Sequence, residues 1–135
     1  MIPTAENEQE IKAKIRQEKI EQNKKAFLEM TAHVHEGMKL IYHERFTFLC
    51  TLESMLLDEG ELTLKLKYIG YVGDPPREDQ VPHIKKRLSE KEVELGFGLQ
   101  FLNMDPQKKE VWGYGGFYVR FSEKCNRSSI FFSKE

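Results

Sequence analysis

The sequence has little cysteine and no long apolar run. Its 135 residues include only Cys50 and Cys125, which are far apart and lack CxxC spacing. Neither a disulfide framework nor a zinc site is therefore predicted, and we expect both thiols to be reduced. A membrane-spanning helix needs roughly 18 apolar residues in a row, and a signal peptide begins basic where this chain begins with the acidic MIPTAENEQE. We expect a soluble, intracellular protein.

An excess of either charge is also missing. Lys and Arg total 21 against 22 Asp and Glu, which gives a formal net charge of -1. Such a chain lacks the overall attraction to nucleic acid or anionic membrane that strongly basic proteins have, so only a local patch would bind them. The length has room for one ordinary domain. We divide it into a polar helical arm, residues 1–22, and a single α+β domain, residues 23–135.

A long helix is predicted at the start of the chain. No proline or glycine occurs between Ala5 and Glu36, and most residues there are strong helix formers. Thr4 is a suitable N-cap, and Gly37 supplies the left-handed residue that commonly stops a helix. The sequence therefore predicts a helix of roughly 30 residues, about 45 Å long.

The two halves of this helix differ in their apolar pattern. Phe27, Met30 and Val34 recur every three or four residues, which is typical of a helix lying on a sheet. The first half carries only three large apolar residues, Ile11, Ile15 and Ile20. An isolated helix this polar is marginal in water. We therefore expect the arm either to fray or to bind a protein partner, with a homodimer as one form of that binding.

After Gly37 the apolar period changes from that of a helix to that of a strand, which predicts an antiparallel meander of about five strands. The first strand points one set of residues inward: Phe46, Phe48, Cys50, Leu52 and Leu56. Asp58-Glu59-Gly60-Glu61 has the composition of a hairpin turn. The return strand points another set inward: Leu62, Leu64, Leu66 and Tyr68.

The remainder of the chain continues this pattern. Two glycines and three prolines predict a loop at Gly70–Pro82, and a short basic helical turn follows at His83–Lys91. The third strand alternates inward residues: Val93, Leu95, Phe97, Leu99 and Phe101. The last two strands are predicted at Glu110–Phe121 and Ser129–Ser133, joined through Glu123–Ser128. The fold class is α+β, a long N-terminal helix packed on a strongly curved antiparallel meander.

Groups that carry chemistry do not converge in the sequence. His33 and His35 are two residues apart on the predicted helix, so they point in different directions and cannot hold one metal ion. Cys50 alternates with phenylalanines and reads as a small buried hydrophobe. Cys125 lies between Lys124 and Arg127, where an exposed structural thiol is favoured over a reactive one. We expect no metal, no cofactor and no catalytic set.

Glycines are concentrated in the third and fourth predicted strands, which we expect to pair. They are Gly96, Gly98, Gly113, Gly115 and Gly116. Glycine inside a strand marks a bend, a bulge or the close approach of another backbone. This pattern favours a sheet curled sharply around the helix over a concave ligand site, although both remain open.

Aromatic and basic residues are predicted to share the reverse face of this sheet. Trp112, Tyr114 and Tyr118 alternate with the inward set and lie on the same face as Arg120, with Lys65 and Lys67 joining from the second strand. Tyrosine, tryptophan and arginine are the residues that dominate protein interfaces. The same mixture also binds single-stranded nucleic acid, through stacked bases and neutralised phosphates. The absence of net positive charge favours a protein partner.

The order of elements resembles the cystatin-like and nuclear transport factor-like cone folds. That resemblance implies a small-ligand or catalytic pocket, which His43, Tyr68 and Tyr114 would line. The segment Tyr42–Phe46, at the junction of helix and sheet, resembles the RWD-type heads that follow coiled coils in kinetochore subunits. RWD heads end in helices, whereas this chain ends in a predicted strand. Our main hypothesis is a non-enzymatic protein-interaction or adaptor domain that acts through the aromatic face and the helical arm.

Overall fold

The computed structural model describes residues 5–122 and 130–133. Within these residues, two α-helices accompany a single antiparallel sheet of eight strands. The helices are α1 (Ala5–Met30) and α2 (Val81–Ser89). The strands are β1 (Lys39–His43), β2 (Thr47–Leu57), β3 (Glu61–Val72), β4 (Val93–Gly98), β5 (Asn103–Asp105), β6 (Glu110–Trp112), β7 (Tyr118–Arg120) and β8 (Ile130–Ser133). The α+β class and the curled antiparallel sheet are confirmed.

Helix α1 ends at Met30 rather than at the predicted Glu36. The Thr31 hydroxyl donates to the Phe27 carbonyl at 2.6 Å, and the chain then leaves the helix in a turn. His33 and His35 therefore follow the helix instead of lying on it. Gly37 is left-handed as predicted, with φ 88°, but it serves the turn that leads into β1. Tertiary contacts override helix propensity in this segment.

The predicted helix stripe lies in the core. Phe27 is fully buried and Met30 is 7% exposed, and Val34 packs against the same cluster. Asn23 fastens the helix to the sheet, because its side-chain amide donates to the Leu99 carbonyl at 2.6 Å and to the Leu102 carbonyl at 3.2 Å. One helix face is thus buried along the second half of α1.

The predicted first strand is two strands, β1 and β2, joined by a tight turn in which the Glu44 amide donates to the Phe46 carbonyl at 3.0 Å. Leu40, Ile41 and Tyr42 are all buried, so β1 shows no alternation. The reason is its central position between β2 and β7. Leu40 and Tyr42 belong to the main core, whereas Ile41 belongs to a small apolar cluster on the reverse face.

The hairpin of β2 and β3 is confirmed, including its turn, where the Asp58 amide donates to the Glu61 carbonyl at 2.9 Å. The predicted inward residues of β3 are all buried: Leu62, Leu64, Leu66 and Tyr68. The prediction for Leu56 is wrong, because its side chain is 64% exposed. A register shift between Leu52 and Ser54 adds one residue to β2, and a bulge of this kind reverses the alternation beyond it.

The predicted loop at Gly70–Pro82 is shorter in the structure. β3 continues to Val72, and α2 already begins at Val81, with Pro82 in its first turn. Ile84 and Leu88, four residues apart on α2, are buried. The short basic helix is therefore confirmed with shifted bounds.

The third and fourth predicted strands are each interrupted by a 3-10 turn. The turn Leu99–Phe101 follows β4 and leaves Phe101 58% exposed, so its predicted inward direction is wrong. The turn Tyr114–Gly116 divides the predicted strand Glu110–Phe121 into β6 and β7, which pair as a hairpin. Gly115 and Gly116 have φ of 78° and 85°, values that suit glycine and allow the chain to reverse.

The strand order is β4-β3-β2-β1-β7-β6-β5, with β8 paired to β3. The expected pairing of the third and fourth predicted strands is therefore wrong, since β4 and β6 lie far apart in this order. The sheet nevertheless curls enough to bring them together. A Cβ atom on Gly113 would lie 2.7 Å from the Phe97 ring of β4. The missing side chain allows the close approach that the glycine pattern predicted.

The final strand β8 matches the predicted Ser129–Ser133 within a residue. The predicted connection Glu123–Ser128, the residue Cys125 and the N-cap Thr4 lie outside the described residues. Neither described helix is long and apolar enough to cross a membrane.

Candidate functional site

An aromatic row crosses three neighbouring strands on the reverse face of the sheet. It consists of His43 on β1, Tyr118 on β7 and Trp112 on β6, which the register places directly opposite one another. The His43 and Tyr118 rings are stacked, with centroids 4.9 Å apart, and the Tyr118 and Trp112 centroids are 4.5 Å apart. Cross-strand aromatic pairs of this kind stabilise a sheet and fix its register.

The aromatic row faces away from the core. The neighbours of its members along the three strands, Tyr42, Val119 and Val111, are buried in the main cluster, so alternation directs the row to the other side. Trp112 remains 37% exposed. The row therefore offers apolar surface at its Trp112 end.

His43 is partly buried at the opposite end of the row. Its Nδ1 atom lies 2.8 Å from the Thr47 hydroxyl, and its ring is covered by Tyr118. Burial lowers the pKa of His43 below the usual 6.5, and the nearby Glu44 carboxylate opposes this shift only in part. The neutral imidazole is the favoured form in this position.

Arg120 lies next to the aromatic row and forms a buried ion pair. Its Nε and Nη2 atoms donate to one oxygen of Glu110 at 3.0 Å and 2.8 Å, and Glu110 is only 3% exposed. The guanidinium carbon lies 6.0 Å from the centre of the Tyr118 ring. The positive charge of Arg120 is thus balanced within the sheet.

The structure brings together only some of the predicted interaction residues. Trp112, Tyr118 and Arg120 lie side by side, whereas Lys65 and Lys67 lie on β3, with β2 and β1 between them and β7. Lys65 forms an ion pair with Glu92 at 3.1 Å. The backbone of Tyr114 lies in the turn between β6 and β7, and its side chain is outside the described part of the chain.

The helical arm exposes two of its three isoleucines. Ile11 is 54% exposed and Ile15 is 59% exposed, and their spacing of four places them on one face of α1. Ile20 packs against the core. The exposed apolar part of the arm is therefore shorter than the sequence indicated.

A basic cleft that the sequence did not reveal lies at the end of β7. It encloses about 960 Å³ between the loop after α1, the start of β1 and the turn before β6. The basic residues that line it are His33, His35, Lys39, Lys108, Lys109 and Arg120, and none of the described acidic residues lines it. The segments that form the cleft are far apart in sequence. The adjacent pair Lys108-Lys109 is therefore the only local feature of the sequence that indicates a basic site here.

Hydrogen bonds fix one wall of the basic cleft. The Phe121 amide donates to the Lys109 carbonyl at 2.9 Å, and His33 Nε2 donates to the Phe121 carbonyl at 2.9 Å. Because a carbonyl only accepts, Nε2 carries a proton here, and the other ring nitrogen, Nδ1, lies 3.5 Å from the Lys109 ammonium. Lys109 has a left-handed backbone, with φ 57°, which is costly for a residue with a side chain.

The charges of the basic cleft are mostly unbalanced. Arg120 is paired with Glu110, but no ion pair joins Lys39, Lys108 or Lys109 to an acidic residue of the described chain. The only carboxylate of the adjoining turn, Asp105, accepts the backbone amides of residues 107 and 108 at 3.1 Å and 3.2 Å. Three lysines therefore line one concave site.

The pocket that the cone-fold resemblance implied is not assembled from its expected residues. Tyr68 is 1% exposed within the core, whereas His43 lies on the reverse face, so the two cannot line one cavity. Cys50 is fully buried, and burial raises its pKa, so its thiol is the inert hydrophobe that the pattern predicted. Within the described residues, no three His, Cys, Asp or Glu side chains form a group suited to a metal ion.

Comparison with protein-family models, curated proteins and solved structures finds no match to this chain. Neither fold resemblance therefore transfers a functional residue to this chain.

Proposed function

We propose that the protein is a non-enzymatic protein-binding domain and that its partner docks on the aromatic row. The observation that carries this proposal is the exposed end of the row, where the Trp112 side chain on β6 is 37% exposed. Rigid aromatic side chains lose little conformational entropy when a partner covers them, and tryptophan is the residue most enriched at the energetic centre of interfaces.

The arrangement of the rings favours a protein over single-stranded nucleic acid. Proteins that bind single strands offer free ring faces on which bases stack. Here Tyr118 lies between His43 and Trp112, with centroid distances of 4.9 Å and 4.5 Å, so the rings cover each other. The neighbouring Arg120 is already paired with Glu110 at 2.8 Å. The central ring of the row, Tyr118, is therefore covered by its two neighbours, and the charge of Arg120 is already matched by a carboxylate.

The helical arm supplies a second contact in this proposal. Ile11 and Ile15 are exposed on one face of α1, and a matching helix would cover them. A second copy of the chain is the simplest such partner, because a two-fold axis pairs the same face with itself. The variant Ile11→Gln/Ile15→Gln is expected to reduce the mass measured by light scattering. An unchanged mass would remove the arm from the proposal.

The aromatic row is tested by site-specific crosslinking. A photoreactive phenylalanine analogue at Trp112 should capture a protein that the same analogue does not capture at Leu56, which is 64% exposed on β2. Binding of the purified partner is then compared by calorimetry for Trp112→Ala and the control Leu56→Ala. We expect the first variant to weaken binding at least roughly tenfold, or about 1.4 kcal/mol, and the second to leave it unchanged.

Two results would contradict the proposal. One is a crosslinking pattern that is the same at both positions. The other is a partner that binds Trp112→Ala as tightly as the unmodified protein.

A further inference from the structure

We propose that the basic cleft is a binding site for a compact polyanion that carries two or more linked phosphate groups. This proposal is independent of the one made for the aromatic row, because polyanion binding in the cleft does not require a partner on the row. It rests on the cleft of about 960 Å³, its three lysines and the absence of a lining carboxylate within the described part of the chain.

The charge of the cleft indicates the charge of its ligand. Lys39, Lys108 and Lys109 all line one concavity, and no acidic residue of the described chain pairs with them. Like charges held together repel, and the cost is relieved when an anion of matching charge enters. A single monovalent anion would leave most of this charge unbalanced, whereas linked phosphates carry several negative charges in a small volume.

The cations of the cleft are suited to phosphate. The forked guanidinium, which recognises carboxylates and phosphates alike through two parallel hydrogen bonds, is occupied here, since Arg120 binds Glu110. The cations that remain are lysine ammonium groups, which bind phosphate as point charges without a fixed geometry. An acidic peptide spreads its carboxylates along an extended chain, whereas the three lysines lie around one cleft of about 960 Å³.

The backbone at Lys109 is consistent with a binding role. This residue keeps a left-handed conformation that glycine would adopt at lower cost, and its ammonium is directed toward His33. Strain of this kind persists where the surrounding structure fixes a residue, and it is concentrated at functional sites. We infer that a lysine stands at this position because its charge is needed in the cleft.

Titration calorimetry with sodium tripolyphosphate at low ionic strength tests the site. The full chain is compared with Lys39→Gln/Lys108→Gln and with the control Lys25→Gln/Lys67→Gln. The control removes the same charge from exposed lysines outside the cleft. We expect saturable binding that the cleft variant weakens at least tenfold and the control changes by less than twofold. ATP is titrated in a parallel experiment, because the linked phosphates of a nucleotide offer the same chemistry. The ligand that binds more tightly shows whether the cleft prefers a nucleotide or a free polyphosphate.

A second measurement separates binding from folding. The amide resonances of Lys109 and Phe121 should shift and saturate as tripolyphosphate is added, while those of β4 stay in place. The variant Lys109→Gly should bind more weakly without a lower thermal midpoint, because it removes both the charge and the left-handed side chain. If Lys109 had only a structural role, the variant would lower the thermal midpoint and leave binding unchanged.

Several results would overturn the proposal. They are the absence of saturable binding, equal loss of binding in the cleft variant and the control, and equal affinity for inorganic monophosphate. Tighter binding of a poly-glutamate peptide or of oligothymidylate would assign the cleft to an acidic protein or to nucleic acid instead.

Discussion

The close approach of Gly113 to Phe97 gives a direct test of how far the sheet curls. A Cβ atom at Gly113 would lie 2.7 Å and 2.8 Å from two carbons of the Phe97 ring. Carbon atoms in favourable contact are about 3.5–4.0 Å apart, so alanine requires the ring or the hairpin to move by roughly 1 Å. Gly113 has φ -95°, which alanine adopts without strain. The penalty is therefore steric, and overpacking against a ring that is 8% exposed costs about 1–3 kcal/mol.

Urea denaturation of Gly113→Ala, followed by far-ultraviolet circular dichroism, measures this cost. The control is Gly60→Ala, where a Cβ atom would meet nothing within 4 Å. The control should be unchanged or more stable by about 0.4–1 kcal/mol, because alanine restricts the unfolded chain. Combining Gly113→Ala with Phe97→Leu should cost less than the sum of the two single changes, with a coupling of about 1 kcal/mol. Equal stability of the two alanine variants would refute the contact between β4 and the β6–β7 hairpin.

Three further predictions concern buried polar groups. Arg120→Ala should lower the free energy of unfolding by about 3 kcal/mol in urea, because Glu110 loses its partner; a loss below about 1 kcal/mol would contradict a buried pair. Tyr68→Phe should be neutral or stabilising, since its hydroxyl has no hydrogen-bond partner among the described residues, whereas Tyr42→Phe should cost about 1.5 kcal/mol because it deletes a bond to a carboxylate. A larger loss of stability in Tyr68→Phe than in Tyr42→Phe would contradict this assignment of the two hydroxyl groups. The lowered pKa of His43 should appear as an NMR titration midpoint below 6.5. The imidazole of the unfolded chain binds its proton at a higher pH than that of the folded chain. The free energy of unfolding is therefore not reduced by His43 above pH 6.5, and it decreases as the pH falls through the lowered pKa. The variant His43→Gln should remove this decrease.

The parts of the fold that the sequence predicted are those in which one local pattern decides the outcome. Strict alternation from Leu62 to Tyr68 implied a strand with one buried face, and the structure confirms it. Leu56 and Phe101 show where this reasoning fails. A bulge and a 3-10 turn each change the direction of the following side chains, and both depend on contacts with other strands.

The candidate site was predictable only where neighbours in sequence become neighbours in space. Trp112 and Tyr118 were expected on one face, and the hairpin of β6 and β7 places them opposite each other. His43 joins them only through the pairing of β1 with β7, across most of the chain. The basic cleft likewise combines residues near Lys39 with residues near Lys108, and no local pattern predicts that meeting. Long-range pairing is the information that a single sequence does not display.

The amide of Asn23 has a consequence for the geometry of any assembly. Because one side chain holds two carbonyls of the same turn, a rotation of α1 by one residue, about 100°, would break both hydrogen bonds. The helix continues from Gln22 back to Ala5 beyond this anchor, a length of about 27 Å. Two molecules bound at the tip of the helix and on the sheet would thus be held at a constant separation and mutual angle, so the chain would act as a rigid spacer as well as a binding surface.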